Sequence, residues 1–144
     1  MLKVASIKNG VVIDHITPGN GLKIFSKLNL KDIDEPVILL RNADSSKAGK
    51  KDVVKIENFY DLPLEYLGIL DSNITINYIK DEKIIDKKSV SLPLKIKGIV
   101  KCKNPRCISF EQKDVSPEFT LNNREDGYIC SYCEETTSLK RIKL

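Results

Sequence analysis

The chain has 144 residues, 41% hydrophobic and 31% charged, with 24 Lys and Arg against 20 Asp and Glu and a formal net charge of +4. That apolar share suffices for one ordinary domain or two small ones and excludes wholesale disorder. The longest aliphatic run, Val37 to Leu40, falls far short of the roughly 18 residues a membrane span needs, and Met1 to Ser6 lacks a basic segment followed by a long apolar one, so a cytoplasmic location is expected.

In chain order, Val4 to Ile7 and Val11 to Ile16 are β-branched runs flanking Asn9-Gly10, a dipeptide suited to the positive φ angles of a tight hairpin. Pro18-Gly19-Asn20-Gly21 breaks the pattern, and from Leu22 the apolar residues Leu22, Phe25 and Leu28 recur at helical spacing through Leu30. Pro36 to Leu40 reads as a buried strand, Asn42 to Lys51 as a polar loop or wide turn, and Val53 to Phe59 as another strand. Asp61 and Pro63 open a short helix running to Leu70, with proline in its first turn. Ile74, Ile76 and Tyr78 alternate with polar residues as a half-buried strand does, and Lys83 to Val90 supplies one more strand.

This order predicts an α+β sandwich over residues 1–93, ferredoxin-like, with two helices on one face of an antiparallel sheet. Ser91-Leu92-Pro93 marks the boundary. Residues 94–144 carry short segments separated by polar turns, namely Ile96 to Lys101, Pro117 to Leu121, Gly127 to Cys130 and Ser138 to Ile142, and read as a small all-β unit. A unit of that size rarely holds together by hydrophobic burial alone.

All four cysteines fall in this second unit. Cys102 and Cys107 form C-x4-C, Cys130 and Cys133 form C-x2-C, and 22 residues separate the pairs. Each knuckle brings two thiolates close enough to share an ion, and the long insert lets the second fold back to complete a tetrahedron of sulfur, which zinc favours. Two disulfides are disfavoured in a reducing compartment, a redox pair at Cys130 and Cys133 leaves the other two unexplained, and iron is the main competitor for zinc. Four thiolates leave no open position, so the metal is expected to be structural.

Elsewhere the chemistry is sparse. His15, the only histidine, stands beside Asp14 with no nucleophile or oxyanion site to complete a catalytic set, and on these residues alone a structural role outweighs a ligand role. Lys50-Lys51, Lys55 and Lys87-Lys88 are cations near strand ends, readable as a solvated face or as an anion pocket; no P-loop or dinucleotide fingerprint accompanies them. A zinc-ribbon nucleic-acid-binding protein is the competing reading, since Lys101, Lys103, Arg106, Lys140, Arg141 and Lys143 gather in the second unit. Seven acidic residues there, and only four arginines in the whole chain, speak against it.

The segments IKNGVVIDHI, KKDVVKIEN, ITINYI, VSLP and CKNPRCIS followed by CSYCE, in that order and across nearly the whole chain, resemble the regulatory chain of aspartate carbamoyltransferase. The resemblance implies a non-catalytic regulatory subunit of pyrimidine biosynthesis. Its first domain would bind nucleotide effectors (CTP inhibiting, ATP activating, UTP acting beside CTP in some members) and pair with a second regulatory chain, while its zinc domain would contact the catalytic chain. By motif, the nucleotide pocket would use Val4, Ala5, Ser6 and Ile7 on the first strand, then Val12, with Asp14 at the ribose or base and His15 near phosphate. Lys55 would meet ribose hydroxyls with Val53 nearby, Asn77 and Ile79 would flank the base, Lys87 would pair with the triphosphate, and Lys51 is a further candidate. The metal ligands would be Cys102, Cys107, Cys130 and Cys133. Catalytic residues are expected on the separate carbamoyltransferase chain.

Overall fold

The computed structural model describes residues 6–46, 49–112, 114–122 and 127–138. The chain divides into two units, Met1–Ser91 and Leu92–Leu144.

In the first unit the strands β1 (Gly10–Ile16), β2 (Val37–Ser45), β3 (Gly49–Glu57), β4 (Thr75–Lys80) and β5 (Lys83–Ser89) alternate with helices α1 (Asn20–Lys27) and α2 (Leu64–Leu70). They form one antiparallel sheet in the order β2-β3-β1-β4-β5. The β1-α1-β2-β3-α2-β4 succession is the ferredoxin-like α+β order expected from the sequence. Period-two patterning sorts the residues between the faces. Val11, Ile13, Val54, Ile56 and Ile76, all fully buried, share one face by their pairing, and α1 packs on β2, β3 and α2. The opposite face carries Val12, Val53 and Ile79, which cluster with Ile7 and the half-buried Leu40. β5 is an outer strand, exposed along all seven residues.

Four expectations change. The hairpin at Asn9-Gly10 does not form: β1 is flanked by β3 and β4, so neither edge is left for a partner from residues 4–7. Ser6 and Ile7 precede the sheet, whereas Val4 and Ala5 lie outside the described residues. Gly10 instead begins β1 with a φ of 136°, where the Ile56 carbonyl leaves no room for a side chain. The loop expected from Asn42 to Lys51 is largely strand, because β2 and β3 continue as a hairpin arm to the Ser45–Gly49 pair. β2 is a half-exposed edge strand rather than a buried one. Finally, α1 stops at Lys27 and a 3-10 turn follows over Leu30–Asp32; its buried positions are Gly21 and Ile24, while Leu22 is exposed.

The second unit is a four-stranded antiparallel sheet, β6 (Lys95–Lys97), β7 (Glu118–Asn122), β8 (Gly127–Cys130) and β9 (Thr136–Ser138), in sequence order. A single helical turn, α3 (Ile108–Glu111), follows Cys107 and was not foreseen. Phe119 and Tyr128 are its largest fully buried side chains, with Ile96 and Val100 beside them in the core. Of the strand expected over Ser138 to Ile142, residues 139–142 lie outside the described residues.

Candidate functional site

Two sites emerge, one in each unit. In the second, the turn before α3 and the turn after β8 converge so that the sulfurs of Cys102, Cys107, Cys130 and Cys133 all lie within 4.8 Å of one another. Cys102 Sγ is 3.8 Å from Cys133 Sγ, and Cys107 Sγ is 3.7 Å from Cys130 Sγ. A disulfide needs about 2.05 Å, whereas four sulfurs each about 2.3 Å from one tetrahedral zinc stand about 3.8 Å apart. The spacing therefore fits a shared ion. Backbone N–H groups of Asn104, Ser109, Tyr132 and Cys133 turn towards the sulfurs of Cys102, Cys107 and Cys130, and the Ser109 hydroxyl lies 3.0 Å from Cys107 Sγ. Such donors spread the negative charge of a four-thiolate site. Burial pushes the Cys102 thiol up to about 12 and raises Cys130 as well, so a bound cation is what would hold those two as thiolates.

In the first unit, an open cleft of about 590 Å³ lies on the face of the sheet opposite the helices. Ser6, Ile7, Val12 and Asp14, with Lys51, Val53, Lys55 and Ile79, line it. Its floor is the apolar cluster of Ile7, Val12, Val53 and Ile79. Towards the other end Asp14 accepts a 2.9 Å ion pair from the Lys51 ammonium and a 2.7 Å hydrogen bond from the His15 N–H, and the His15 Nε2 is 3.8 Å away. Burial raises the Asp14 carboxyl, but those hydrogen bonds and the charges of Lys51 and His15 outweigh it and leave the group below its ordinary value. His15 takes a left-handed φ of 58° and lines a neighbouring cavity of about 480 Å³ that shares Lys50 and Lys51 with the cleft.

Comparison with known proteins matches residues 2–91 to the allosteric domain of the aspartate carbamoyltransferase regulatory chain, and residues 94–143 to its metal binding domain. This chain belongs to that family. It is 48% identical to the aspartate carbamoyltransferase regulatory chain of Clostridium botulinum over 139 residues, 96% of this chain and 95% of that one. The same-named chains of Clostridium acetobutylicum and Bifidobacterium longum are 48% and 36% identical, over 94% and 96% of this chain and 93% and 100% of theirs. The chain is thus a regulatory chain, not a catalytic one, and its four-cysteine cluster falls within the metal binding domain of the family.

Within the allosteric domain of this regulatory chain, eight of the thirteen nominated nucleotide residues meet in the cleft. Of the others, Val4 and Ala5 lie outside the described residues. His15 belongs to the neighbouring cavity. Asn77 pairs with Val12 across β1 and β4 on the same face of the sheet, and its buried Oδ1 has no hydrogen-bond partner among the described residues. Lys87 pairs with Asn77 on β5, two strands or roughly 10 Å from Val12, and is exposed. Leu40, Arg41, Asn42, Ala43 and Asp44 also line the cleft and were missed; Lys50, one of the cations read as a solvated face or an anion pocket, lines it too. Reading Asn42 to Lys51 as a loop hid Asn42, Ala43 and Asp44; the available signal was Val37 to Leu40 and Lys50 to Val53 standing either side of one short polar turn.

Proposed function

We propose that this chain is the non-catalytic allosteric subunit of an aspartate carbamoyltransferase of pyrimidine biosynthesis, taking CTP- and ATP-type nucleotides, with UTP beside CTP, on residues 1–93. Residues 94–144, folded around one structural zinc, dock on the catalytic chain, and regulatory chains pair with one another through their first domains. The observation that carries the effector reading is the cleft itself: an apolar floor that accommodates a base, continued by cations that suit polyphosphate. Ile7, Val12, Val53 and Ile79 exclude water from the base, Lys55 reaches the ribose, and Lys51 and His15 meet phosphate. The Oδ1 of Asn77, without a hydrogen-bond partner among the described residues, supplies an acceptor for a donor on the nucleotide, and both cytosine and adenine carry an exocyclic amino group. Zinc, when bound, supplies no reactive water, because four thiolates close its coordination.

Effector action requires unequal affinity for two quaternary states of the complex, and couplings of about 1–3 kcal/mol are typical. The test is calorimetry of CTP and ATP on the chain assembled with its catalytic partner. Saturable binding is expected; no binding of either nucleotide would overturn the effector reading, and an assembled complex that survives Cys130→Ser in gel filtration would overturn the docking reading.

A further inference from the structure

The central strand β3 is flanked by two irregularities at nearly the same level. On one side β1 fits Asp14 and His15 between the pairs Ile13–Val54 and Ile16–Asp52, where β3 has only Val53. On the other side β2 fits Arg41 and Asn42 between the pairs Leu40–Val53 and Ala43–Lys51, where β3 has only Asp52. In each bulge the second residue adopts a left-handed backbone, His15 at a φ of 58° and Asn42 at 59°, and the first residue, Asp14 or Arg41, lines the cleft. Bulges of this kind re-aim side chains and gather beside functional sites. The β2 bulge is held in place from below: the wholly buried Asp52 carboxylate accepts the Asn42 N–H at 3.0 Å.

The register fixes where along the cleft Arg41 stands. Leu40 and Val53 belong to the apolar floor, Ala43 and Lys51 form the next paired level, and Arg41 lies between them, at the passage from base-binding to phosphate-binding chemistry. Of the cations lining the cleft, Lys50 is already paired with Asp44 at 2.8 Å and Lys51 with Asp14 at 2.9 Å, whereas Arg41 makes no ion pair among the described residues. A guanidinium offers a planar fork of donors that matches the oxygens of a phosphate two at a time, which an ammonium cannot do.

We propose that Arg41 is a further nucleotide ligand of this chain, one that grips the outer phosphates of a nucleoside triphosphate from the β2 wall and so sets its preference for triphosphates over monophosphates; the inference rests on the effector reading above. It is tested by titrating CTP and CMP, separately, into the complex with the catalytic chain, using the natural sequence, Arg41→Ala and Arg41→Lys. Arg41 is exposed, so its truncation opens no buried gap. Arg41→Ala is expected to weaken CTP roughly tenfold or more while leaving CMP unchanged, and Arg41→Lys to recover only part of the loss. Equal weakening of CTP and CMP would overturn the proposal by showing a distortion of the whole cleft, and so would an unchanged affinity for CTP. If the natural chain binds neither nucleotide, the effector reading itself falls, an outcome distinct from a failure of Arg41.

Discussion

The backbone N–H of Gly21 donates to Oδ2 of Asp52 at 3.0 Å, and a Cβ on Gly21 would lie 2.8 Å from that same oxygen. Asp52 therefore does from the middle of the sheet what a capping side chain does from within a helix. Its Oδ2 also accepts the Gly19 N–H, so two amides at the start of α1 end on one carboxylate, while its Oδ1 holds the bulge of β2. No side chain of Gly19 caps α1, and an anion at the positive end of the helix replaces one.

Gly21→Ala would drive a methyl into Asp52 and into Leu39 Cδ1, 2.9 Å from the same Cβ position. It is expected to cost about 1–3 kcal/mol, as overpacking does, and Asp52→Asn a similar amount by leaving buried amides unsatisfied. Urea unfolding of each single variant and of the double variant checks this. Because the two residues touch, the double variant should lose less than the sum of the singles.

Asp14 gives the first unit a dependence on acid. Its carboxyl titrates below the ordinary value when folded and near about 3.9 when unfolded, so its stabilising contribution is complete above roughly pH 4 and is lost as the pH falls through the lower folded value. Asp14→Asn should melt below the natural chain at pH 6, and the gap should narrow as the buffer is taken below about pH 4. A gap constant across that range would remove the Lys51 pair as its cause.

The metal centre predicts a different sensitivity. Each chain should hold about one equivalent of zinc, and a strong chelator or Cys130→Ser should unfold residues 92–144, because a core this small leans on its ion. Heteronuclear NMR should then show collapsed dispersion for the second unit and retained dispersion for residues 6–91. Uniform loss over both units, or none, would contradict it.

Tyr128 supplies a finer test in the same unit. Its ring is fully buried, its hydroxyl donates to the Pro93 carbonyl at 2.7 Å, and burial pushes its pKa up to about 12. Tyr128→Phe keeps the ring and strands that carbonyl, so a loss of about 1 kcal/mol is expected in the metal-loaded protein, read from thermal melting.

The features legible from sequence were those with short-range causes. The two cysteine knuckles are local turns, and their spacing sufficed to foresee a site whose sulfurs the fold brings within 4.8 Å. The β-branched run of Val11 to Ile16 and the alternation of Ile74, Ile76 and Tyr78 marked strands, since both signals are written residue by residue. The hairpin at Asn9-Gly10 failed because turn propensity speaks only for neighbours, whereas the places beside β1 are taken by β3 and β4 from far along the chain. Arg41 was missed for a related reason: a bulge is defined by the strand opposite it, and nothing local to Leu40-Arg41-Asn42 marks the extra residue. Asp52 likewise reads as one more surface charge until the amides of Gly19, Gly21 and Asn42 are seen to close on it.

The outer strand β5 bears on how the protein behaves in a tube. Its outward edge offers backbone groups to any arriving strand, and Ile84 and Ile85 are 59% and 60% exposed. Lys83, Asp86, Lys87 and Lys88 punctuate those isoleucines, so two such edges approaching each other each bring an excess of positive charge, the ordinary guard against edge-to-edge association. That guard is electrostatic and reaches only about 10 Å at 0.1 M salt. Concentrated salt, often added to keep a protein in solution, should here strip the repulsion from two bare isoleucines and make the purified chain more prone to clump.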